Sequence, residues 1–200
     1  MPVRALNLYY ARDPGVRAEV LSTRLRASAV RAAMAVPGGR VFRRVDGDAE
    51  LPDVIWDCAF ADAAAHDRDM DARAASPEFE AVRAHMRTLT RRFERVLYAF
   101  DSNGTHVSVG ETIGALIAHA WIHHSDATAT DSMSSIAAIA STQLANAANI
   151  LDRQDDNTRL PEWIIETPAR SRAVLATSIS SWIAPHPHLR ATSFLWERVG

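Results

Sequence analysis

The sequence contains a single cysteine, Cys58, so neither an intrachain disulfide nor a cysteine-based zinc site can form. No glycine-rich phosphate loop precedes a predicted helix, because Gly38 and Gly39 follow one, and no G-x-S-x-G elbow occurs. These absences exclude the sequence signatures of nucleotide-binding loops and of serine hydrolases. Cys58 alternates with apolar residues and is interpreted as a small buried hydrophobic residue.

The chain also lacks a basic stripe and a long apolar run. Its formal net charge is -2, with arginines interleaved with acidic residues, whereas sequence-independent nucleic-acid binding needs clustered cations. The longest apolar stretch, residues 113–122, contains His119 and is too short to span a membrane, and the N-terminus is too polar for a signal peptide. The sequence therefore predicts a soluble, cytoplasmic protein with no nucleic-acid or membrane partner.

Hydrophobic residues make up 48% of the 200 residues, which is enough for one large core or two small ones. In the first half, apolar residues alternate in predicted strands and recur at helical spacing in predicted helices that follow Asp13-Pro14 and Ser76-Pro77. The predicted strands are residues 3–10, 40–45, 53–61 and 95–100, and the predicted helices are residues 14–35 and 76–92. This β, α, β, β, α, β order predicts an α+β, ferredoxin-like unit at residues 1–100.

Between the third strand and the second helix, residues 62–75 are polar and alanine-rich and are predicted to form a helical turn or two on the surface. Asp67, Asp69 and Asp71 resemble the start of a calcium loop, but the glycine and glutamate that such a loop requires are missing. We interpret these carboxylates as a solvated face.

The second half, residues 111–200, follows a linker at residues 101–110 rich in serine, asparagine and glycine. Residues 111–124 fit both a helix and a strand, and a strand is favoured because the next segment is a predicted helix, residues 132–151. Further strands are predicted at residues 163–167, 174–182 and 190–199. The second half is therefore predicted to be a degenerate copy of the first unit, packed against it as a pseudo-dimer.

Residues 53–100 resemble the dimeric α/β-barrel superfamily, which includes antibiotic biosynthesis monooxygenase-like, EthD-like and stress-responsive barrel proteins. The resemblance rests on the strand DVIWDCAF, the helix start SPEFEAVRAHM and the closing strand RVLYAF. It implies that two sheets, from two subunits of a homodimer or from tandem units, form a barrel. It also implies a site for a small apolar molecule between a sheet and its covering helices.

One branch of this superfamily degrades haem, using an asparagine on the first strand and a tryptophan and a histidine that flank the phenylalanine of the second helix. Asn7 matches the first of these residues, but Arg73 and Arg83 occupy the other two positions, and His85 lies two residues away. Haem degradation by that mechanism is therefore not expected, and no cofactor is predicted.

Four residues are candidates for a site on the first unit. Asn7 and Tyr9 share one face of the first strand, and together with Trp56 they are the predicted ligand-binding residues. His85, at the edge of the second helix, is the predicted catalytic base, because the pKa of histidine suits proton transfer near neutrality. The structural alternatives are ordinary polar contacts on a half-exposed strand and a solvated histidine on the helix flank.

His119, His123 and His124 form the one dense histidine cluster, and His119 and His123 share a face in either a helix or a strand. A third metal ligand could come from Asp126, His186 or His188. No H-E-x-x-H pattern accompanies the cluster, so no metal site is predicted. A subunit interface is the alternative use of these histidines around Trp121.

Two functions remain open. The resemblance implies a cofactor-independent monooxygenase or isomerase that acts on a small apolar or aromatic compound. The alternative is a non-catalytic ligand-binding or assembly protein of the same fold, because no nucleophile, acid–base pair or cofactor motif is evident in the sequence.

Overall fold

The computed structural model describes residues 2–34, 39–100, 110–124, 149–154, 160–161, 163–184 and 189–200. Within these residues, eight antiparallel strands close into a barrel, and four α-helices accompany them. The fold is therefore α+β, as predicted. None of the described helices is long and apolar enough to cross a membrane.

The first half follows the predicted order, with one additional complete helix. Its elements are β1 (Val3–Ala11), α1 (Arg17–Ala33), β2 (Arg40–Arg44), β3 (Val54–Phe60), α2 (Ala63–Ala74), α3 (Pro77–Leu89) and β4 (Thr90–Phe100). A short 3-10 turn before α1 begins where the Asp13 carboxylate accepts a hydrogen bond from the Gly15 amide at 2.9 Å. Helix α3 begins where the Ser76 hydroxyl accepts from the Phe79 amide at 3.2 Å. Both starts are side-chain caps of the kind that the sequence predicts.

The structure of residues 62–75 differs from the prediction in two respects. The segment is a 12-residue helix, capped by Asp62, whose carboxylate accepts from the Ala65 amide at 2.7 Å. The prediction that Asp69 lies on a solvated face is wrong: Asp69 is buried and forms ion pairs with Arg31 at 3.2 Å and Arg73 at 2.8 Å. Because Arg31 comes from α1, this pairing depends on tertiary packing and leaves no local sequence signal.

The second half contributes four strands and one helix to the described residues. Its elements are β5 (Leu116–His124), β6 (Asn149–Arg153), β7 (Trp163–Pro168), α4 (Arg172–Ile183) and β8 (Leu189–Arg198). Residues 116–124 thus form the strand that was favoured over a helix, and the predicted strands near residues 163–167 and 190–199 are present.

One prediction for the second half is wrong, and a second is wrong at the end of its range. Residues 174–182, predicted as a strand, lie in α4, where Leu175 and Ile179 are buried one helical turn apart. The predicted helix at residues 132–151 lies outside the described residues except for its end, which belongs to β6. There, Asn149 and Leu151 alternate into the barrel as strand residues do. In residues 174–182, β-branched residues favoured the wrong local structure, which tertiary packing overrides.

Strand order around the barrel is β1-β3-β2-β8-β5-β7-β6-β4, and β4 pairs with β1 to close it. The strands of the first half therefore run in the order β2-β3-β1-β4, and those of the second half in the order β6-β7-β5-β8. The two halves meet where β2 pairs with β8 and where β4 pairs with β6.

Side-chain alternation divides the apolar residues into three layers. One layer fills the barrel interior and includes Leu6, Ile55 and Trp196. A second covers the outer face of the first half, under α1, α2 and α3, and a third covers the outer face of the second half, with Leu175 and Ile179 of α4. The register places Asn7 opposite Trp56 on β3 and opposite Arg95 on β4. These residues all belong to the outer face of the first half.

Candidate functional site

A cavity of about 270 Å³ lies between the outer face of the first half and its three helices. We call it the helix-side cavity. Its aromatic and apolar walls include Tyr9, Trp56, Phe79, Val82, Met86 and Phe93, and its basic lining consists of Arg24, Arg73, Arg83, Arg87 and Arg95. The volume lies near the lower end of the range for small-molecule sites, about 300–1,000 Å³. The cavity therefore suits a compound of one or two rings.

Strand alternation directs Tyr9 and Trp56 to the helix side of the sheet, as the sequence predicts, and both line the helix-side cavity. The Tyr9 ring lies 5.1 Å from the Phe93 ring. Phe93 is 46% exposed, so it lies where the cavity meets solvent. Trp56 is buried, and a Cβ atom at Gly39 would come within 2.1 Å of its indole nitrogen. A glycine at position 39 therefore leaves the room that the Trp56 ring occupies.

Asn7 lies under the cavity instead of lining it. Its side-chain amide donates weakly to the Trp56 carbonyl at 3.4 Å, and its oxygen accepts from Arg95 Nε at 2.8 Å. Because Arg95 itself lines the cavity, Asn7 acts on the cavity by holding this guanidinium in place.

His85 lies on the outer side of α3. Its side chain is 40% exposed, and its Nε2 lies 3.1 Å from the Glu19 carboxylate on α1. His85 is absent from the residues that line the helix-side cavity. Its catalytic role stays a prediction.

Cys58 lies beneath the helices on the same face of β3 as Trp56. The thiol is buried and accepts from Arg31 Nη1 at 3.1 Å. Burial raises the pKa of Cys58 to about 12, although Arg31 opposes the shift. The thiol therefore stays protonated at neutral pH, when only a thiolate would serve as a nucleophile.

A second polar cluster lies inside the barrel. We call it the interior network, and it consists of Arg4, Arg40, Asp57, His119, Asn149 and Glu166. Arg4 Nε donates to Asp57 at 3.1 Å, and its two Nη atoms donate to Glu166 at 3.2 and 3.0 Å. Arg40 also pairs with Asp57.

The charges of the interior network compensate each other. Burial by itself would raise the pKa of Glu166, but Arg4, His119 and Arg40 outweigh it and hold that pKa well below its usual range. The pKa of Asp57 is likewise lowered, because Arg4 and Arg40 outweigh the effect of burial. Both carboxylates are therefore ionised at neutral pH, and each lies beside the guanidiniums of Arg4 and Arg40.

The histidine cluster does not converge on one point. His119 Nε2 lies 3.3 Å from Glu166 in the interior network, whereas His123 lines a separate cavity of about 260 Å³. Burial and Arg153 lower the pKa of His123. The His124 side chain, Asp126, His186 and His188 lie outside the described part of the chain. Among the described residues, no group of three potential ligands is arranged to hold a metal ion.

The helix-side cavity does not fit a haem group. Haem iron is held by histidine, cysteine, methionine or tyrosine, and Tyr9, Met70 and Met86 are among the lining residues. The volume of about 270 Å³, however, suits one or two rings and is too small for the four-ring haem macrocycle.

The chain resembles known proteins in structure but not in sequence. No protein-family model and no curated protein matches the sequence. An anthrone oxidase-like protein superposes with a TM-score of 0.68 at 11% identity, over 100% of this chain and 92% of that chain. A proposed monooxygenase from Lactobacillus acidophilus NCFM gives 0.58 at 11% identity, over 98% and 93%. A chlorite dismutase variant from Candidatus Nitrospira defluvii gives 0.56 at 8% identity, over 99% and 91%.

These neighbours belong to the dimeric α/β-barrel superfamily, and the likeness extends over nearly the whole chain. At 8–11% identity it establishes the fold and not the activity. The chain thus has the eight-stranded α/β-barrel fold of these proteins.

Reasoning from sequence missed the basic lining of the helix-side cavity. Arg24 lies in α1 beside the predicted apolar stripe, and its guanidinium carbon stands 3.5 Å from the centre of the Trp56 ring. Arg95 begins the predicted fourth strand and faces the same side as Phe93. The one available signal was the alternation of β4, which places Arg95 and Phe93 on the same face as Tyr9 across the β1–β4 pair.

Proposed function

We propose that the helix-side cavity binds a small aromatic or largely apolar molecule and that the protein converts it as a cofactor-independent monooxygenase or isomerase. The observation that carries the proposal is the cavity itself, enclosed between the sheet and α1, α2 and α3. It lies where the resemblance implies a ligand site. Tyr9 and Trp56, two of the three predicted ligand-binding residues, line it.

Within this proposal the side chains have distinct roles. Trp56 and Phe93 offer aromatic surfaces against which a ring can pack. Apart from the arginines, Tyr9 is the titratable residue in the lining, and it is the candidate to give or take a proton from bound substrate. Asn7 is a positioning residue that acts through Arg95. For oxygenation, molecular oxygen is the oxidant and the substrate supplies all the electrons. A ring carbon that carries two hydrogens becomes a carbonyl carbon, and the second oxygen atom leaves as water with those two hydrogens.

A second candidate, a non-catalytic ligand-binding protein, is favoured by one observation. Among the described residues, neither a histidine nor a carboxylate lines the cavity, and these are common acid–base groups in enzymes. The same walls would hold a ligand without converting it.

The test begins with a panel of one- and two-ring aromatic compounds, screened for binding by ligand-observed NMR. Val82→Trp places a large ring at the cavity wall, whereas Ala84→Trp places the same ring on the exposed side of α3. We expect binding to the wild type and to Ala84→Trp and its loss in Val82→Trp. Retention of binding in Val82→Trp would contradict this assignment of the site.

Compounds that bind are then incubated with the protein in an oxygen electrode, and the products are analysed by mass spectrometry. Oxygen uptake with incorporation of one oxygen atom supports the monooxygenase, and an isomer formed without oxygen uptake supports the isomerase. Binding without conversion supports the non-catalytic alternative.

We also propose that the barrel consists of two ferredoxin-like units, residues 1–100 and 111–200, related as a pseudo-dimer. Both halves have the same strand order, and in each seam the last strand of one half pairs with the second strand of the other. A homodimer of the whole chain and a cytoplasmic location stay predictions. Light scattering after size-exclusion chromatography decides the oligomeric state.

A further inference from the structure

The helix-side cavity has a marked excess of positive charge. Five arginines line it, Arg24, Arg73, Arg83, Arg87 and Arg95, and the described lining residues include neither aspartate nor glutamate. An uncharged ligand would pack against the apolar walls but would form no ion pair with these guanidiniums. The partners of each arginine therefore decide what the cavity can accept.

Three of the five arginines have a carboxylate partner. Arg73 pairs with Asp69 at 2.8 Å, and Arg83 and Arg87 pair with Glu80 at 3.1 and 3.0 Å. Glu80 lies on the surface of α3 and Asp69 lies behind the cavity wall, so neither places negative charge in the cavity itself.

Arg24 and Arg95 have no carboxylate within 4 Å in the part of the chain that the structure describes. Arg24 is 2% exposed, its Nη2 donates to the Ser28 hydroxyl at 3.2 Å, and its Nε has no partner among the described residues. Arg95 donates to Asn7 and contacts the sulfur of Met70 at 2.8 Å. Neutral partners leave the positive charge of both guanidiniums uncompensated.

Arg24 and Arg95 both line the helix-side cavity together with Tyr9. Arg24 reaches it from α1, above Trp56, and Arg95 reaches it from β4, where its strand neighbour Phe93 faces Tyr9. Burial lowers the pKa of Arg24 and of Arg95. A guanidinium nevertheless stays charged at neutral pH, so proton loss does not relieve the buried charge. An anion that enters the cavity does relieve it.

We propose that the ligand of the helix-side cavity is an aromatic carboxylate, with its rings against Trp56 and Phe93 and its carboxylate between Arg24 and Arg95. This inference rests on the proposed ligand site and adds the chemical class of the ligand. Guanidiniums bind carboxylates through paired hydrogen bonds. Such a pair would orient the aromatic ring of the ligand and also strengthen its binding.

The test compares 2-naphthoate with its neutral isostere 2-naphthamide by isothermal titration calorimetry. In the wild type we expect naphthoate to bind at least about tenfold more tightly than naphthamide, since charge-assisted hydrogen bonds are roughly twice as strong as neutral ones. Arg95→Gln should remove most of this preference. Arg68→Gln, which changes an exposed arginine on α2 away from the cavity, should keep it.

Each outcome separates the two proposals. Equal affinity for the two compounds in the wild type overturns the anionic ligand and leaves the apolar site standing. Binding of neither compound overturns both. A preference for naphthoate that survives in folded Arg95→Gln overturns the role of this guanidinium. If circular dichroism shows that Arg95→Gln does not fold, the wild-type comparison by itself still decides the class of ligand.

Discussion

The interior network pairs both of its arginines with carboxylates, whereas two arginines of the helix-side cavity, Arg24 and Arg95, have no carboxylate partner among the described residues. Arg4, inside the barrel, contacts two carboxylates, Asp57 and Glu166. Arg24, under the helices, contacts a hydroxyl and an indole ring. Both guanidiniums are almost fully buried, so exposure does not explain the difference. On the proposal made above, the compensated charges of the interior network serve the fold, and the uncompensated charges of the helix-side cavity receive the ligand.

The largest expected effect on stability comes from removing an arginine of the interior network. Arg4→Met leaves Asp57 and Glu166 buried with fewer cations, and breaking a buried ion pair from one side costs about 3–5 kcal/mol. The free energy of unfolding, measured by urea denaturation, should fall by that amount. The control, Arg43→Met, breaks the exposed pair with Glu197 and should cost about 0–1 kcal/mol. A loss below about 1 kcal/mol in Arg4→Met would contradict the account.

The interior network should also make the stability of the protein depend on pH in the acidic range. The folded-state pKa values of Asp57 and Glu166 are lowered, so their contribution is complete above their unfolded pKa values, about 4, and is lost as the pH falls through the folded values. The melting temperature should therefore change little between about pH 5 and 7 and fall below about pH 4. Glu166→Gln should flatten this fall, and Glu197→Gln should leave it in place. Equal slopes in the two variants would rule out the assignment to the interior network.

Arg24→Met removes an arginine of the helix-side cavity that has no carboxylate partner. It should change the free energy of unfolding of the ligand-free protein much less than Arg4→Met does. Methionine keeps an apolar stem beside Trp56 and removes a buried charge without a carboxylate partner. We expect the free energy of unfolding to change by less than about 1 kcal/mol or to rise. Differential scanning calorimetry on Arg24→Met and Arg4→Met gives the contrast directly. A loss above about 2 kcal/mol in Arg24→Met would show that Arg24 serves the fold.

His85→Ala gives the smallest expected change in stability, because the His85–Glu19 contact lies at the surface and such pairs contribute about 0–1 kcal/mol. The same variant tests the predicted catalytic role of His85. If Tyr9 is the acid–base group, turnover of a bound substrate should survive in His85→Ala and be lost in Tyr9→Phe. The reverse result would restore His85 as the base.

Local sequence patterns were sufficient to predict several residues of the helix-side cavity and the starts of the helices that cover it. Alternation along β1 placed Asn7 and Tyr9 on one face of that strand, and alternation along β3 placed Trp56 on one face with Cys58, because the side-chain period of a strand is a local property. That the two faces coincide follows from the register of the β1–β3 pair. The caps at Asp13 and Ser76 located two helix starts for the same reason. The strand β5 was favoured correctly, although its periodicity also fits a helix.

Pairing between distant residues could not be predicted. Arg4 and Glu166 are far apart in the sequence and meet because the barrel closes, and nothing near Asp69 indicates that Arg31 will reach it. The cavity depends on gaps between side chains, which residue types do not encode. Helix α4 was predicted as a strand because its β-branched residues favoured the wrong local structure.

A crystal structure of the protein soaked with 6-bromo-2-naphthoate tests the central claim most directly, because the anomalous signal of bromine locates the ligand independently of its fit to density. The account predicts one bromine site in the helix-side cavity, with the carboxylate within about 3 Å of the Arg24 and Arg95 guanidiniums. It also predicts that the interior network is unchanged, since its cations already have partners. Bromine at another site, or a carboxylate that points away from both guanidiniums, would contradict the account.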